Sequence, residues 1–323
     1  MCDRYFIAVD IGATRIRAAL FKSSGEMIQK VEALTPRDSP DAPSRKIIEL
    51  INSFKFEVSL KDKIQGVGIG SIGPLDLKKG MILVAPNLNL REIPIVDPIE
   101  EELGLPVALH NDCTTAVVGE KAFGAGKNVD NLVYVTISTG IGGGVYVDGH
   151  LLVGKDGNAA EVGHFVVDNK WNLKCGCGGI GHWEAYCSGK NLPRFVKILI
   201  GELKTKDSEK RYLMESCNSD LDKLTAKAIY EGAEKGDPLC LKILDEVNDL
   251  NARGFACIIN AYDPELISVG GAITLNHPDL MLNSIIKGVK KYIAVRVPKM
   301  MVTPLGEDIV LYGAFALIKQ SLS

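Results

Sequence analysis

The sequence predicts an α/β protein with two domains and an internally repeated core. The chain has 323 residues, which is long for a single hydrophobic core and sufficient for two domains. A pattern of strand, glycine turn, strand, glycine turn and strand begins near residue 5 and recurs near residue 132. After the cysteine-rich loop at 161–184 the chain becomes largely helical. The repeat places the predicted domain boundary near residues 111–114.

Each predicted element follows from a local pattern. Apolar runs that end at glycine turns predict strands. Apolar residues at helical spacing behind Asp41 and Pro43 predict the first helix. Asp112 is the predicted N-cap of a later one. In chain order the prediction is strands at 5–10, 16–21 and 27–31, a helix from Asp41, a strand at 66–70, a helix at 98–103, a strand at 107–110, a helix at 112–123, strands at 132–137 and 145–147, a helix from Asp237, a strand at 266–269 and a helix at 312–319.

Composition excludes several classes of protein. The chain is 46% hydrophobic and 24% charged, with a net charge of -3 and no basic stripe, so we expect no nucleic-acid partner. No apolar run reaches the eighteen or so residues of a membrane span, and the N-terminal run is too short for a signal peptide. The eight cysteines are few and irregularly spaced, which argues against a disulfide scaffold and favours a cytoplasmic location.

Three glycine-containing motifs follow predicted strands. Asp10–Arg15 combines a tight turn at Gly12 with a hydroxyl and a carboxylate that could hold magnesium, although a plain hairpin turn is the alternative. Ser138–Gly144 exposes successive backbone N–H groups that could cradle an anion. It lacks the lysine of a P-loop, and a strand rather than a helix follows it. Gly270–Ala272 would allow close approach of a ligand or form an ordinary turn.

Asp112 ends a strand and begins a helix within His110–Asp112. The helix N-terminus favours its ionised form, which suits a base that takes a proton from a hydroxyl. A simple helix cap is the alternative reading.

The loop at 161–184 contains two thiols and two imidazoles. Cys175, Cys177, His164 and His182 are the ligand types of a closed tetrahedral zinc site, and Cys-x-Cys does not match the Cys-x-x-Cys redox spacing. Cys187 is an alternative fourth ligand. Such a saturated site would be structural, and it would fix two flanking carboxylates, Glu161 and Glu184, as acceptors for sugar hydroxyls.

Together these motifs resemble the ROK family (named for repressor, open reading frame and kinase), and within it the glucokinase and hexokinase members. The resemblance spans essentially the whole chain. It matches Asp10–Thr14 and Ser138–Gly144 to two phosphate motifs and Gly270–Ala272 to an adenosine-side motif. Asn111 with Asp112 matches the pair that binds sugar and supplies the catalytic aspartate. Glu161, His164, Glu184 and Asn87 match further sugar contacts.

The resemblance implies an actin-like, ribonuclease-H-like fold with a duplicated β-β-β-α-β-α core and two domains flanking a cleft. The implied domains are 1–112 with 306–323, and 113–305 with the zinc loop. The implied reaction is transfer of phosphate from ATP, with Mg²⁺, to the 6-hydroxyl of a hexose, foremost glucose, with Asp112 as the base. The implied site residues are Asn87, Asn111, Asp112, Glu161, His164 and Glu184 for the sugar, Asp10, Gly12, Ala13, Thr14, Arg15, Thr139, Gly140, Gly142, Gly143, Gly270, Gly271 and Ala272 for the nucleotide, and His164, Cys175, Cys177 and His182 for structural zinc.

The chain departs from the family pattern at four positions. Ala13 stands where the family usually has glycine and Arg15 where it has lysine, and both keep the turn feasible. Thr114 replaces a frequent asparagine, so no role is carried onto it. His182 replaces a cysteine ligand, and imidazole binds zinc equally well.

Other readings stay open at this stage. The acceptor could be N-acetylglucosamine, N-acetylmannosamine, fructose or allose. An actin-like ATPase without a sugar is a further alternative. The family also contains sugar-responsive repressors with an N-terminal DNA-binding module, but this chain begins at the first core strand and is acidic, so we expect an enzyme. A homodimer or dimer-based oligomer is the usual state of such folds.

Overall fold

The computed structural model describes residues 4–55, 63–85, 87–203, 205–206 and 208–322. These form two compact units. Unit 1 comprises Met1–Asp130, Gly144–Ala160 and Thr303–Ser323, and unit 2 comprises Asn131–Gly143 and Glu161–Val302. Among the described residues, no helix combines the length and apolar content that crossing a membrane requires.

The strands are β1 (Tyr5–Ile11), β2 (Arg15–Lys22), β3 (Met27–Leu34), β4 (Ile64–Ser71), β5 (Leu75–Asp76), β6 (Met81–Ala85), β7 (Leu90–Pro94), β8 (Val107–Asn111), β9 (Leu132–Ile137), β10 (Ile141–Val147), β11 (His150–Leu151), β12 (Leu266–Gly270) and β13 (Lys299–Val302). The helices are α1 (Ala42–Asn52), α2 (Val96–Leu103), α3 (Asp112–Ala122), α4 (Glu184–Cys187), α5 (Leu192–Glu202), α6 (Arg211–Ser216), α7 (Ala226–Glu234), α8 (Pro238–Tyr262), α9 (Ala272–Asn276), α10 (Pro278–Val289) and α11 (Ile309–Ser321). Short 3₁₀ turns occupy Val162–His164, Leu221–Lys223 and Gly306–Asp308.

Two five-stranded sheets repeat the same topology. Their strand orders are β3-β2-β1-β4-β8 and β11-β10-β9-β12-β13. In each sheet the first strand in the chain lies at the centre. The second and third strands extend the sheet on one side of it, and two later strands extend it on the other side. The neighbour on that other side is parallel to the central strand, as β4 is to β1 and β12 is to β9. This shared order confirms the predicted duplication. A three-stranded sheet, β5-β6-β7, was not predicted, because its strands are short and carry weak alternation.

Strand β1 is buried on both faces. Its odd residues, such as Ile7 and Val9, lie in one apolar cluster with Ile47 of α1. Its even residues, Phe6 and Ala8, lie in a second cluster with residues of α11. Burial on both sides explains why the strand reads as a continuous apolar run. The same alternation places the side chain of Asp10 on the α11 face, at the end of the strand.

Helix α3 belongs to unit 1 because it packs closely on α11. A Cβ added at Gly119 would lie 2.6 Å from the Ile309 carbonyl oxygen, and one at Gly313 would lie 1.8 Å from the Thr115 carbonyl oxygen. The two helix backbones can approach this closely only because both positions are glycine. Compactness therefore groups residues 113–130 and 144–160 with unit 1, whereas the sequence-based boundary at residue 112 assigns them to the large domain. The functional domain division stays a prediction.

Two local predictions differ from the structure. The glycine-rich stretch Ser138–Gly144 was expected to be a turn throughout, but β10 already begins at Ile141. A Cβ at Gly144 would lie 2.2 Å from the Cys113 carbonyl oxygen, so strand backbone packs where a loop was expected. Asp112 was expected to be the N-cap of α3, but Asn111 takes that position.

Candidate active site

The carboxyl ends of three parallel strands meet at one edge of the unit 1 sheet. Ile11 is in register with Ser71, and Ser71 with Asn111. One position earlier, Asp10, Gly70 and His110 form a row across β1, β4 and β8, with Arg17 opposite Asp10 on β2. The predicted first phosphate motif, Asp10–Thr14, and the Asn111–Asp112 pair therefore lie at the same edge of one sheet. Open α/β sheets characteristically bind ligands at such an edge.

Asp10 is 8% exposed and forms an ion pair with Arg17. The Arg17 Nε donates to Asp10 Oδ2 over 3.0 Å, and the guanidinium also lies 3.5 Å from Asp308. Burial raises the pKa of Asp10, and Arg17 offsets only part of that effect. Sequence reasoning did not identify Arg17. Only its position could have identified it, because Arg17 lies on the same face of β2 as Ala19 and Phe21, which pack against α11.

The turn after β1 is a tight hairpin. The Gly12 N–H donates to the Arg15 carbonyl over 2.9 Å, and the Thr35 hydroxyl donates to the Gly12 carbonyl over 2.7 Å. The N–H groups of Ala13 and Thr14 have no acceptor within the described ranges of the chain. They are the backbone donors that this turn can offer to a phosphate.

Asn111 and Asp112 are held by the first turn of α3. Asn111 Oδ1 accepts from the N–H groups of Cys113 (2.9 Å) and Thr114 (3.3 Å). Asp112 Oδ1 also accepts from the Cys113 N–H, over 2.8 Å. Asn111 is the N-cap because its backbone is extended and its side-chain Oδ1 accepts from both N–H groups. Asp112 is thereby fixed as the first residue of the helix.

Asn158 holds the loop that faces Asn111. A Cβ at Gly73 would lie 3.3 Å from Asn111 Nδ2, so the loop and this amide are close neighbours. The Leu75 N–H donates to Asn158 Oδ1 over 3.2 Å. No sequence motif pointed to Asn158. Asn87 lies exposed in the turn between β6 and β7, beside Pro86, which is outside the described residues.

In unit 2 the glycine turn after β9 is tied to Glu184. The Ser138 N–H donates to the Gly140 carbonyl over 2.9 Å, and the Ile141 N–H donates to Glu184 Oε2 over 3.0 Å. A Cβ at Gly140 would lie 2.6 Å from that carboxylate oxygen, so a larger residue there would displace the Glu184 carboxylate. One predicted sugar ligand therefore touches the predicted phosphate turn. Thr139, Gly142 and Gly143 belong to the same segment.

Gly270–Ala272 lies beside the end of β9. Gly270 is in register with Thr136, and Gly271 has φ +87°. A Cβ at Gly271 would lie 2.5 Å from the Ile137 carbonyl oxygen. The segments predicted to bind phosphate and adenosine thus follow the neighbouring parallel strands β9 and β12, and both leave the same edge of the unit 2 sheet.

The four predicted zinc ligands converge. Their ligand atoms all lie within 4.8 Å of one another, in the group His164, Cys175, Cys177 and His182. Cys177 Sγ is 3.3 Å from His182 Nδ1 and 3.7 Å from His164 Nδ1, and the two Nδ1 atoms are 3.2 Å apart. A tetrahedron with zinc bonds of about 2.0–2.3 Å has edges of about 3.3–3.8 Å. The donor set and its spacing therefore fit a zinc ion.

Cys187 is not part of this group. Its side chain is fully buried, and its thiol donates to the Val247 carbonyl over 3.5 Å. His182 is therefore the fourth member, as the sequence predicted. Burial raises the pKa of the Cys175 thiol to about 11, so binding a metal there would release a proton.

Glu161 lies next to the cluster. Its Oε2 is 3.7 Å from His164 Nε2, while the Nδ1 of the same ring faces the thiols. Burial raises the pKa of Glu161, and the negative charge of Glu184 adds to that effect while His164 opposes it. Both carboxylates predicted to bind sugar are therefore neighbours of the cluster.

Asp168 organises the loop that leads to Cys175. This buried carboxylate accepts hydrogen bonds from the N–H groups of Lys170, Trp171 and Asn172 at 2.8–3.0 Å and from the Tyr186 hydroxyl at 2.6 Å. Burial by itself would raise its pKa, but these four donors lower it below the usual value. The sequence analysis did not identify this residue, because no motif marks it.

Comparison with known proteins identifies the family. A sequence model of the ROK family matches residues 6–321. The chain belongs to the ROK family. It is 38% identical over 312 residues to a glucokinase of Pyrobaculum calidifontis, covering 97% of this chain and 94% of that one. A glucokinase of Thermotoga maritima is 34% identical, covering 98% of each chain. A xylose repressor of Bacillus subtilis is 31% identical, covering 87% of this chain and 67% of that protein.

Solved structures agree with this assignment. A ROK family glucokinase from Streptomyces griseus, in complex with glucose and AMPPNP, superposes with a TM-score of 0.80 at 31% identity, covering 98% of this chain and 99% of that one. A ROK hexokinase from Thermus thermophilus gives a TM-score of 0.79 at 25% identity, covering 98% and 99%. The predicted family and its actin-like α/β fold are confirmed.

We expect Asp168→Asn to lower the free energy of unfolding by about 2–3 kcal/mol at pH 7, because the donors lose a charged acceptor. The folded pKa is depressed, so this stabilisation is present above the unfolded value of about 3.9 and is lost as pH falls through the lower folded pKa. The difference from wild type should therefore shrink between pH 7 and about pH 3. Urea unfolding at both pH values measures it.

Asp245→Asn, an exposed substitution on α8, is the control and should leave stability unchanged within about 0.5 kcal/mol. A difference for Asp168→Asn that is equally large at both pH values would contradict the role of the ionised carboxylate.

Proposed function

We propose that this protein is an ATP-dependent glucokinase that phosphorylates the 6-hydroxyl of glucose. The observation that carries the proposal is the Asn111–Asp112 pair, fixed at the carboxyl edge of the unit 1 sheet in a ROK chain. Similarity to glucokinases over nearly the whole length of the chain supports glucose as the acceptor.

Asp112 would act as the base. The hydrogen bond from the Cys113 N–H fixes one of its oxygens and restricts rotation of the carboxylate. Phosphoryl transfer passes through a loose transition state, so alignment of the attacking hydroxyl matters more than its early deprotonation. Asp112 would therefore orient the 6-hydroxyl first and accept its proton late in the reaction. An ordinary carboxylate is sufficient for this task.

Asn87, Asn111, Glu161, His164 and Glu184 would bind the other hydroxyls of the sugar. Carboxylate oxygens accept hydrogen bonds and the asparagine amide donates them, which suits groups that are both donors and acceptors. Glu184 is already held by the Ile141 N–H, and Glu161 lies beside His164. Side chains fixed in this way bind a rigid ring at small entropic cost.

The nucleotide would be held mainly by backbone groups. The N–H groups of Ala13 and Thr14 would donate to phosphate, and the Thr139–Gly143 segment and Gly270–Ala272 would contact the nucleotide at the edge of the unit 2 sheet. Asp10, Gly12 and Arg15 complete the predicted set. Magnesium bound with ATP would neutralise charge on the phosphates. Because Arg17 already occupies Asp10 Oδ2, we propose that Asp10 holds the ion through water.

The Cys175, Cys177, His164 and His182 group would hold a structural zinc. All four positions of a tetrahedral ion would be filled by the protein, which leaves none for catalysis. The ion would fix the loop and with it Glu161 and Glu184.

Repressors of the same family are the second candidate, represented by the xylose repressor similarity. Identity is higher to the glucokinases of Pyrobaculum calidifontis and Thermotoga maritima than to this repressor, and Asp112 is held at the start of α3, so we favour the kinase. Kinases for other hexoses remain the principal variants of the proposal. The homodimeric state and the cytoplasmic location stay predictions.

A coupled assay with ATP and Mg²⁺ across a hexose panel tests the activity. We expect the highest kcat/KM with glucose, and lower values with fructose, allose, N-acetylglucosamine and N-acetylmannosamine. ADP release that does not depend on any sugar would instead indicate an ATPase. Absence of sugar phosphorylation, together with sugar-dependent DNA binding, would favour a repressor.

We expect Asp112→Asn to lower kcat at least about 100-fold, because base groups typically contribute 10²–10⁴. Glucose binding measured by calorimetry should survive, since the amide keeps the shape and a hydrogen-bonding oxygen. Asp97→Asn, at an exposed acidic position in the first turn of α2, is the matched control and should keep wild-type kcat. A variant that retains more than about a tenth of wild-type kcat would argue against the base role.

Metal analysis should find about one zinc per chain. We expect Cys175→Ser to lose most of the zinc and to unfold at a lower temperature, because binding free energy is folding free energy in such sites. Cys187→Ala should retain the zinc, since Cys187 lies outside the ligand group. Fully active wild-type protein that contains no metal would refute the zinc proposal.

A further inference from the structure

Trp183 stands between two residues of the proposed site, the zinc ligand His182 and the sugar ligand Glu184. Its side chain is fully buried. Its backbone N–H donates to the Phe165 carbonyl over 2.9 Å, and His182 pairs with Val166 in an isolated β-bridge. Glu184 then begins α4. Any shift of Trp183 would therefore move both neighbours.

Helix α8 provides a shaped seat for this indole. A Cβ at Gly254 would lie 2.3–2.6 Å from three ring carbons of Trp183, so the ring occupies the space that any larger residue would need. Phe255 packs edge-on at a centroid distance of 5.2 Å. The ring thus packs directly against the backbone of α8 at Gly254, which fixes the distance of the indole from the helix axis.

One hydrogen bond fixes the orientation of the ring in that seat. Trp183 Nε1 donates to Asn251 Oδ1 over 2.8 Å, and both side chains are fully buried. Asn251 in turn lies 3.5 Å from Asn248 Oδ1, and Asn248 donates to the Leu280 carbonyl over 3.0 Å. A chain of buried hydrogen bonds therefore runs from the Trp183 indole through Asn251 and Asn248 of α8 to the backbone of α10. Such groups are expensive to bury unless the partner is present.

We propose that Asn251 is a positioning residue for the hexose site: through its hydrogen bond to Trp183 it sets the places of His182 and Glu184. The inference rests on the proposed function, since it takes Glu184 as a ligand of the sugar. The depth of the indole is fixed by Gly254 and its rotation by Asn251. The Glu184 contact to the Ile141 N–H and the place of His182 in the ligand group both depend on that rotation.

The test is a double-mutant cycle of Trp183→Phe, Asn251→Leu and the combined variant. Trp183→Phe leaves Asn251 Oδ1 without its donor, and Asn251→Leu leaves the Trp183 Nε1 N–H without its acceptor and Asn248 Oδ1 without its donor, so the Tm of each single variant should fall by about 5 °C. The combined variant removes both partners of the Trp183–Asn251 hydrogen bond, so its loss of Tm should be clearly smaller than the sum of the two single losses. Ile243→Val, a fully buried substitution about two helical turns before Asn251 on α8, supplies a control that lowers Tm without removing either partner of the Trp183–Asn251 hydrogen bond.

Positioning and stability are separated by the kinetics. We expect all three variants to raise the KM for glucose about tenfold while the KM for ATP stays within twofold, including the combined variant, whose Tm loss is smaller than the sum of the single losses. Ile243→Val should leave both KM values unchanged. The proposal is overturned if the KM for glucose stays within twofold of wild type in both single variants. It is also overturned if that KM returns to normal together with Tm, or if both KM values rise alike.

A second readout does not depend on activity. Release of zinc to a chromogenic chelator should be about tenfold faster in both single variants, because His182 loses its fixed place. If wild-type protein phosphorylates no hexose, the proposed function fails on that result alone. The role of Asn251 is then decided by zinc release, and an unchanged rate would overturn it.

Discussion

The in-register parallel pairing of β1, β4 and β8 is the constraint on which the candidate site of unit 1 depends. It brings Ile11, Ser71 and Asn111 to one level, so that three separate segments of the chain end at the same edge. A slip of one residue in any of these strands would turn its side chains to the opposite face. The register is strongly specified because both faces of β1 are buried. The cores of the two faces therefore also define the geometry of the site.

Polar residues appear where these apolar rows end. On the α11 face Phe6 and Ala8 are followed by Asp10, and Ala19 on β2 is preceded by Arg17. His110 completes the row on β8. Burial lowers its pKa, and its Nδ1 has no hydrogen-bond partner in the part of the chain that the structure describes. Charged side chains therefore lie at the edge of the core. Asp10 forms an ion pair with Arg17 there, because a buried charge is costly without an oppositely charged partner.

The candidate site of unit 2 is not built at a sheet edge alone. The loop at 161–184, which carries the predicted zinc ligands, has little regular structure. Two isolated bridges, a 3₁₀ turn and the buried carboxylate of Asp168 give it shape. A metal bound by four side chains would close the same loop from its other end. The ligand group then supports Glu161 through His164, and the segment after β9 supports Glu184 through the Ile141 N–H. In the function proposed for this ROK family chain, residues of this loop and residues at the sheet edge of unit 1 would bind the same sugar.

The sequence by itself determined the main strands of the two five-stranded sheets, the duplication, and the residue types of the predicted sites, because these depend on periodicity, glycine turns and ligand chemistry that are local in the chain. It grouped the four Cys and His residues that lie together in unit 2, and it paired Asn111 with Asp112, while their roles stay predictions. Only the tertiary structure decided which residue caps α3, that Arg17 pairs with Asp10, and which groups form hydrogen bonds with Asn158, Asp168 and Asn251. Those contacts join residues that are distant in sequence or carry no motif. Their partners become neighbours only when strand register and helix packing bring them together.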